Sequence, residues 1–379
     1  MRPIYLDNAA TTQPLASIAD LYKEYAGSLW QNPSALYREA GEVRRRVEEV
    51  RRLLSDSFGS PRHRCLFTSG GTEGAAAVIR EGVSRRRGGS YVCAGFEHPC
   101  VEESFLALRS GGAVVRFAPA ERGGQTDPEA LLELVDESTL LVSCMHVNNE
   151  TGALNDVEAI AAAVKRKNPR TLVHVDGVQA FLREPLEDAS QIDYYTVSAH
   201  KVHALKGTGA LFYRTGTPLK PLLHGGGQEM NLRSGTENTL GILALGEAAM
   251  FFQEKGADVR RRLTHLHALL TSHFMEMPDA SVLTPPKHCS HILCVTFPGL
   301  RGETLLHMLE EDGITVSTGS ACSSRKGRTR MEKALGVSRE EALGAIRISL
   351  GAFSTEEEAE RLIDAVRTRA AQLRDTIGR

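Results

Sequence analysis

Membrane spans, bulk charge and nucleotide signatures are all missing from this sequence. No apolar run approaches the roughly 20 residues that a spanning helix needs, and Met1-Arg2-Pro3-Ile4-Tyr5-Leu6-Asp7 has no apolar signal core. Lys and Arg number 45 against 47 Asp and Glu, a formal net charge of −2, so no overall field would gather a polyanion. Arg44-Arg45-Arg46, Arg85-Arg86-Arg87 and Arg260-Arg261-Arg262 fall in helical patterns mixed with Glu and read as solvated helix faces. Direct nucleic-acid binding is therefore not expected. Neither G-x-G-x-x-G nor G-x-x-x-x-G-K-[ST] occurs, which removes the common nucleotide cradles. The seven cysteines (65, 93, 100, 144, 289, 294, 322) form no paired framework and no C-x-x-C. His288 to Cys294 holds ligand residue types, but its alternating apolar residues fit a strand and no second ligand group follows, so no metal site is expected. Reduced thiols in a cytoplasmic protein are the expectation.

What is present is a chain of 379 residues, 41% hydrophobic and 24% charged, with 35 glycines, long enough for a large core and two domains. A first helix is expected over 17–26, and Ser34 is a candidate N-cap for a longer one towards Phe58. Short apolar runs then alternate with helical patterns. Strands are read at 65–68, 91–93, 113–117, 140–144, 171–175, 194–198 and 210–213, with helices at 75–82, 99–108 and 157–167. This βαβα order predicts an α/β domain, a mostly parallel seven-stranded sheet between helices. After a helix near 240–253 the texture changes to a long helix (260–275), strands at 292–297, 314–317 and 345–349, and a terminal helix opened by Ser354-Thr355-Glu356-Glu357-Glu358. The division expected is a large α/β domain over 15–250 and a smaller α+β domain from 1–14 and 251–379.

Chemistry gathers where strands end. Tyr194 to Ser198 runs into Ala199-His200-Lys201, placing a lysine where open α/β sheets bind their ligands. Val173-His174-Val175-Asp176 ends on a carboxylate, followed by Gln179; Phe96-Glu97-His98 follows another strand; Met145-His146-Val147-Asn148-Asn149-Glu150 a third. Gly70-Gly71-Thr72 joins a strand to a helix start, where free N–H groups favour a phosphate. Singly, each has a plain explanation: a solvated lysine, a helix-capping Asp, a structural His, a glycine turn. Together they meet one demand. A lysine amine for an aldehyde, a carboxylate for a pyridine nitrogen, an aromatic lid and a phosphate cradle are what pyridoxal phosphate requires.

The ordered motifs then resemble a known family. Tyr5 to Thr12, Asn32-Pro33-Ser34, Thr68 to Glu73, Glu97-His98, His146 to Gly152, His174-Val175-Asp176 and Ser198 to Lys201 are similar, in order, to those of NifS/IscS-type cysteine desulfurases. His224 to Glu229, Arg233 to Thr236, Gly319-Ser320-Ala321-Cys322 and Ile346 to Gly351 continue the match nearly end to end. That resemblance implies a class-V, fold-type I pyridoxal-phosphate enzyme acting on L-cysteine as a homodimer. It implies that Lys201 holds the cofactor and moves the substrate α-proton, that Asp176 faces the ring nitrogen, and that His98 stacks on the ring. Asn149 and Gln179 would bond its hydroxyl side. Gly71, Thr72, Ser198 and His200 would hold phosphate, with Thr236 reaching in from the other subunit. Arg347 would clamp the substrate carboxylate, and Asn32 and Asn149 would line the substrate side.

Within the resembled family a loop cysteine takes the substrate sulfur as a persulfide, and Cys322 stands at that place, beside Arg325, Lys326, Arg328 and Arg330. Those cations would raise its thiolate fraction. The sulfur would pass to an acceptor for iron–sulfur assembly or for tRNA or cofactor thiolation. Selenocysteine lyase, cysteine lyase or another class-V aminotransferase are alternatives that need no nucleophilic loop cysteine; a sulfur-relay or RNA-associated binding protein with a vestigial cofactor site is a non-enzymatic one. The chain departs from the pattern at Ala76, where an Asn is common, and at Tyr37, near a common His. Cys65, Cys93, Cys144 and Cys294 read as small core residues, and Cys100 has no assigned role.

Overall fold

Apolar spacing dictates the framework seen in the computed structural model, which describes residues 3–82, 89–318 and 329–377. The first elements are β1 (Ile4–Tyr5), α1 (Ser17–Glu24) and α2 (Arg38–Phe58). α2 buries Ala40, Val43, Val47, Val50, Leu54 and Phe58, a stripe spaced three and four residues apart. Its N-cap is Tyr37, not Ser34: the Ser34 N–H is turned into Asn32 Oδ1 at 2.9 Å, which keeps the chain non-helical for four more residues. β2 (His63–Thr68), α3 (Gly71–Ala76), β3 (Ser90–Cys93), α4 (Pro99–Ser110), β4 (Val114–Phe117), α5 (Pro128–Glu133) and β5 (Thr139–Ser143) follow. Then come α6 (Val157–Lys167), β6 (Leu172–Asp176), β7 (Tyr194–Ser198) and β8 (Gly209–Arg214). Asp127 and Asp156 cap α5 and α6 with side-chain oxygens, as a short acidic residue before an apolar run should.

Seven of these strands form one sheet in the order β2-β8-β7-β6-β5-β3-β4. Only β8 runs against its neighbours; the other pairings are parallel. The central strands β5, β6 and β7 are buried but for the half-buried Leu140 and Leu172, as strands covered on both faces should be.

The remaining elements are α7 (Thr239–Glu276), β9 (Ser281–Val282), β10 (Ile292–Thr296), α8 (Gly302–Glu311), β11 (Ile314–Thr315), α9 (Arg330–Leu335), α10 (Arg339–Leu343), β12 (Ala345–Ser349) and α11 (Glu356–Ile377). The two helices expected at 240–253 and 260–275 are one element of 38 residues. Gly256 does not break it, since the helical turns on either side bury Phe252, Val259 and Leu263. It packs so tightly on α2 that a Cβ at Gly246 would lie 2.6 Å from Val50 Cγ2. β12, β10 and β9 make a three-stranded antiparallel sheet, while β1 pairs in parallel with β11. The first residues thus join the C-terminal elements, and residue 250 lies within α7. Among the described residues, no helix is long and apolar enough to cross a membrane.

Candidate functional site

The carboxyl ends of β2, β3, β5, β6 and β7 open onto one cleft of about 550 Å³. Gly71, Thr72, His98, Asn149, Asp176, Gln179, Ser198, His200 and Lys201 all line it.

β7 delivers Lys201 through a single 3-10 turn, Ala199–Lys201. Its Nζ donates to the carbonyls of Ala9 (2.6 Å) and Ala10 (2.7 Å). Among the described residues no carboxylate pairs with it. Burial, and then the positive charges of Arg347 and Arg183, bring the amine down to about 8.

Asp176 ends β6 and is buried; Val178 N–H donates to its Oδ1 at 2.9 Å. Burial pushes the carboxyl up to about 6, opposed by that N–H and by Lys201. One turn on, Gln179 Nε2 donates to Ala9 O at 2.9 Å, while Gln179 Oε1 is buried without a partner among the described residues. Asn149 Oδ1 is in the same condition.

His98 caps α4, and its Nδ1 accepts the Cys100 N–H at 3.2 Å. Because that lone pair is engaged, the Cys100 Sγ at 3.0 Å can only donate, and the ring proton sits on Nε2. Burial, Lys201 and Arg330 lower the imidazole to about 4, so it is neutral at physiological pH. His98, Cys100 and Asp176 present ligand atoms within 4.8 Å of one another. The occupied Nδ1 and the positive end of α4 make that trio a poor cation seat.

Gly70 and Gly71 bring α3 against β7 and the turn after β6. Gly70 has φ 153°, and a Cβ on Gly71 would meet Val178 Cγ2 at 2.7 Å. Ser198 is buried at the end of β7, and His200 Nδ1 lies 3.1 Å from Thr11 Oγ1.

Other expected residues stand apart. Arg347, buried on β12, does not line the cleft itself but is one contact behind it: Nη1 donates to Asn149 O at 2.9 Å and Nη2 to Asp7 Oδ1 at 2.6 Å. Asn32 and Thr236 are exposed and outside the cleft of this single chain. Cys322, with Arg325, Lys326 and Arg328, lies outside the described residues. Arg330 is described, and its guanidinium is paired with Glu102 (2.8 Å) and Glu150 (3.2 Å) over the Phe96 ring. It is therefore a clamp between α4 and the 145–150 segment rather than a free cation for a thiol.

The sequence reading missed three participants: the carbonyls of Ala9 and Ala10, the buried Arg183 behind Lys201, and Cys100 as the partner of His98. The carbonyls carry no side-chain signature. His98-Pro99-Cys100 did hold a signal, since a His before Pro at a helix start is placed to accept the next free N–H.

The family model described as aminotransferase class-V matches residues 4–362. The chain is 33% identical over 382 residues to a protein named cysteine desulfurase IscS from Dictyoglomus turgidum, covering 97% of this chain and 96% of that one. It is 34% identical over 367 residues to cysteine desulfurase 2 of Trichormus variabilis, covering 96% and 92%. A solved structure described as a NifS-like protein superposes with TM-score 0.90 at 34% identity, covering 98% of this chain and 100% of that one. Another, described as SspA in complex with cysteine, does so with TM-score 0.79 at 27% identity, covering 93% and 100%. With the cleft at the strand ends and a match over nearly its whole length, this chain belongs to the class-V aminotransferase family.

Proposed function

We propose that this protein is a cysteine desulfurase that uses pyridoxal phosphate to convert L-cysteine to L-alanine, leaving a persulfide on Cys322. The observation that carries the reading is a half-buried lysine opposite a buried aspartate, in a cleft where, among the described residues, the lysine has no ion-pair partner and the side-chain oxygens of Asn149 and Gln179 accept no hydrogen bond. Those two oxygens, and the glycine turn at Gly70-Gly71, where a Cβ on Gly71 would press on Val178, fit a planar phosphorylated pyridine better than water-filled space.

Pyridoxal phosphate supplies an electron sink for a substrate's α-carbon. Lys201 would hold it, and its amine, ionising near 8, would move the α-proton at ordinary pH. Asp176 would stay ionised against a protonated ring nitrogen, reversing the upward push of burial. His98, neutral with its proton on Nε2, would lie over the ring and offer that N–H. Thr72, Ser198 and His200, with Thr236 of the partner subunit, would hold the phosphate beside Gly71. Arg347 would orient the substrate carboxylate, a charge-assisted contact worth about 1.5–3 kcal/mol; Asn32 and Asn149 belong to the same side. The Cys322 thiolate would take the substrate sulfur and pass it to an acceptor for iron–sulfur assembly or tRNA thiolation. Residues 15–250 are read as the cofactor-binding part and 1–14 with 251–379 as the part bearing the cysteine, in a cytoplasmic homodimer. Relatives named as cysteine desulfurases, and a structural relative described as in complex with cysteine, support the substrate.

The test is to supply pyridoxal phosphate, L-cysteine and a thiol reductant and to measure alanine and sulfide, with peptide mass spectrometry for a persulfide on Cys322. Cys322→Ser should stop sulfide release while leaving cofactor attachment intact. A protein whose visible spectrum does not respond to pyridoxal phosphate would sink the reading.

A further inference from the structure

Arg183 is the charged group whose place in the fold is hardest to explain as packing. It follows β6 in the same turn as Gln179: its N–H donates to Ala180 O at 2.8 Å, and its own carbonyl accepts from Arg260 Nε at 2.9 Å. The side chain runs inward and is buried. Nη2 donates to the main-chain carbonyl of Lys201, and Nη1 is buried with no partner among the described residues. Among the described residues no carboxylate ion-pairs with it. A guanidinium in the interior ordinarily needs such a partner, because desolvation costs several kcal/mol per ion. Burial lowers it only to about 10, so it remains a cation at neutral pH.

We infer that Arg183 is the positioning residue for Lys201: it fixes the carbonyl of the turn that presents the lysine and places a positive charge behind the amine. The inference rests on Lys201 being the cofactor-linking residue. The groups facing Lys201 come from several elements. Arg347 on β12 and Arg183 after β6 oppose its protonation, Asp7 beside β1 and Asp176 on β6 favour it, and the neutral rings of His98 and His200 lie close by. Arg347 is the larger of the two cationic influences, but it is ion-paired with Asp7. Arg183 faces Glu184 and Cys289, which favour its charged form, but among the described residues neither is ion-paired with it, and its positive charge still acts on Lys201. The consequence is a larger fraction of neutral amine, the form that can attack an aldehyde or accept a proton.

The experiment reads Lys201 directly. Cofactor-free protein is labelled competitively with acetic anhydride across the neutral to alkaline range, and acetylation of Lys201 is followed by peptide mass spectrometry. The wild type should show half-reactivity near 8. Arg183→Met should move that midpoint up by about one unit, leaving roughly tenfold less neutral amine at pH 7. Arg183→Gln keeps a donor for the Lys201 carbonyl while removing the charge, so it stays informative if the Met variant fails to fold, and it should show a similar shift. Arg183→Lys, which keeps a cation, should restore most of the wild-type value. A folded Arg183→Gln protein with an unmoved midpoint would overturn the inference. Loading the same proteins with pyridoxal phosphate separates the two proposals: attachment anywhere but Lys201 would overturn the preceding one, while the labelling midpoints still decide this one.

Discussion

Two half-buried lysines of this molecule, Lys165 and Lys201, sit in opposite electrostatic settings. Lys165, at the end of α6, donates to Thr171 O at 2.7 Å and to Asp193 Oδ2 at 2.5 Å. Asp193 is fully buried, also pairs with Arg214, and accepts the Val173 N–H at 2.8 Å, so two cations and a strand end share one carboxylate. Among the described residues Lys201 donates to the carbonyls of Ala9 and Ala10 and is ion-paired with no carboxylate; Arg347 and Arg183 oppose its charge more strongly than Asp7 and Asp176 favour it. Burial lowers both amines, but for Lys165 the Asp193 charge and hydrogen bond work against that, while for Lys201 the two largest charge influences, Arg347 and Arg183, add to it. Satisfied charge marks structure, and charge left without a counter-ion marks a site that works on something.

That contrast can be broken from either side. The largest effect should come from Lys201→Ala, which removes the amine that would link the cofactor and move the proton; alanine production should fall at least about a thousandfold. Lys165→Met should leave turnover near wild type once the protein is folded. If the two variants lost activity equally, the division between the lysines would be wrong. Asp193→Ala comes next: stranding Lys165 and Arg214 should cost about 3–5 kcal/mol of stability by urea denaturation. Pyridoxal-phosphate attachment at Lys201 should persist in it, at a temperature where the fold survives.

A smaller effect concerns pH. In cofactor-free protein the Lys201 amine ionises near 8 when folded, below the ordinary 10.5. The unfolded chain therefore binds more protons between those values, and stability should rise with pH across that window. Below 8 the lysine is charged in both states and the penalty is fully present. Lys201→Met should flatten this rise in denaturation midpoints, and Lys165→Met should flatten it less. The smallest effect is expected from Gly71→Ala, whose methyl would press on Val178 and cost about 1–3 kcal/mol. It should appear as weaker retention of pyridoxal phosphate on dialysis, with Lys201 labelling unchanged.

Much of this was legible in the residues. The run Tyr194 to Ser198 and the alternation of Val173-His174-Val175-Asp176 announce strands whose ends carry a lysine and a carboxylate, and both lie in one cleft. Val157–Lys167 and Ala345–Ser349 fall where periodicity placed them. Ser34 misled because a cap-forming residue also makes local turns, and Asn32 had already taken its N–H. The gap between residues 253 and 260 read as a break because Gly256 and Asp258 lower helix propensity. Packing on α2 and α11 overrode that weak local preference. Asn32 and Thr236 remain outside the cleft of one chain, and Cys322 lies outside the described residues.

By itself, then, the sequence determined which chemical groups are available and that several strands would deliver them to one edge of a parallel sheet. Strand period and strand-end position are local properties, written in consecutive residues. The tertiary structure alone decided the electrical character of those groups. It gave Lys165 an acid, and it gave Lys201 two carbonyls with Arg183 behind it. That outcome depends on residues between 18 and 192 positions apart meeting in a low-dielectric interior, where the presence or absence of one counter-charge moves an ionisation by units.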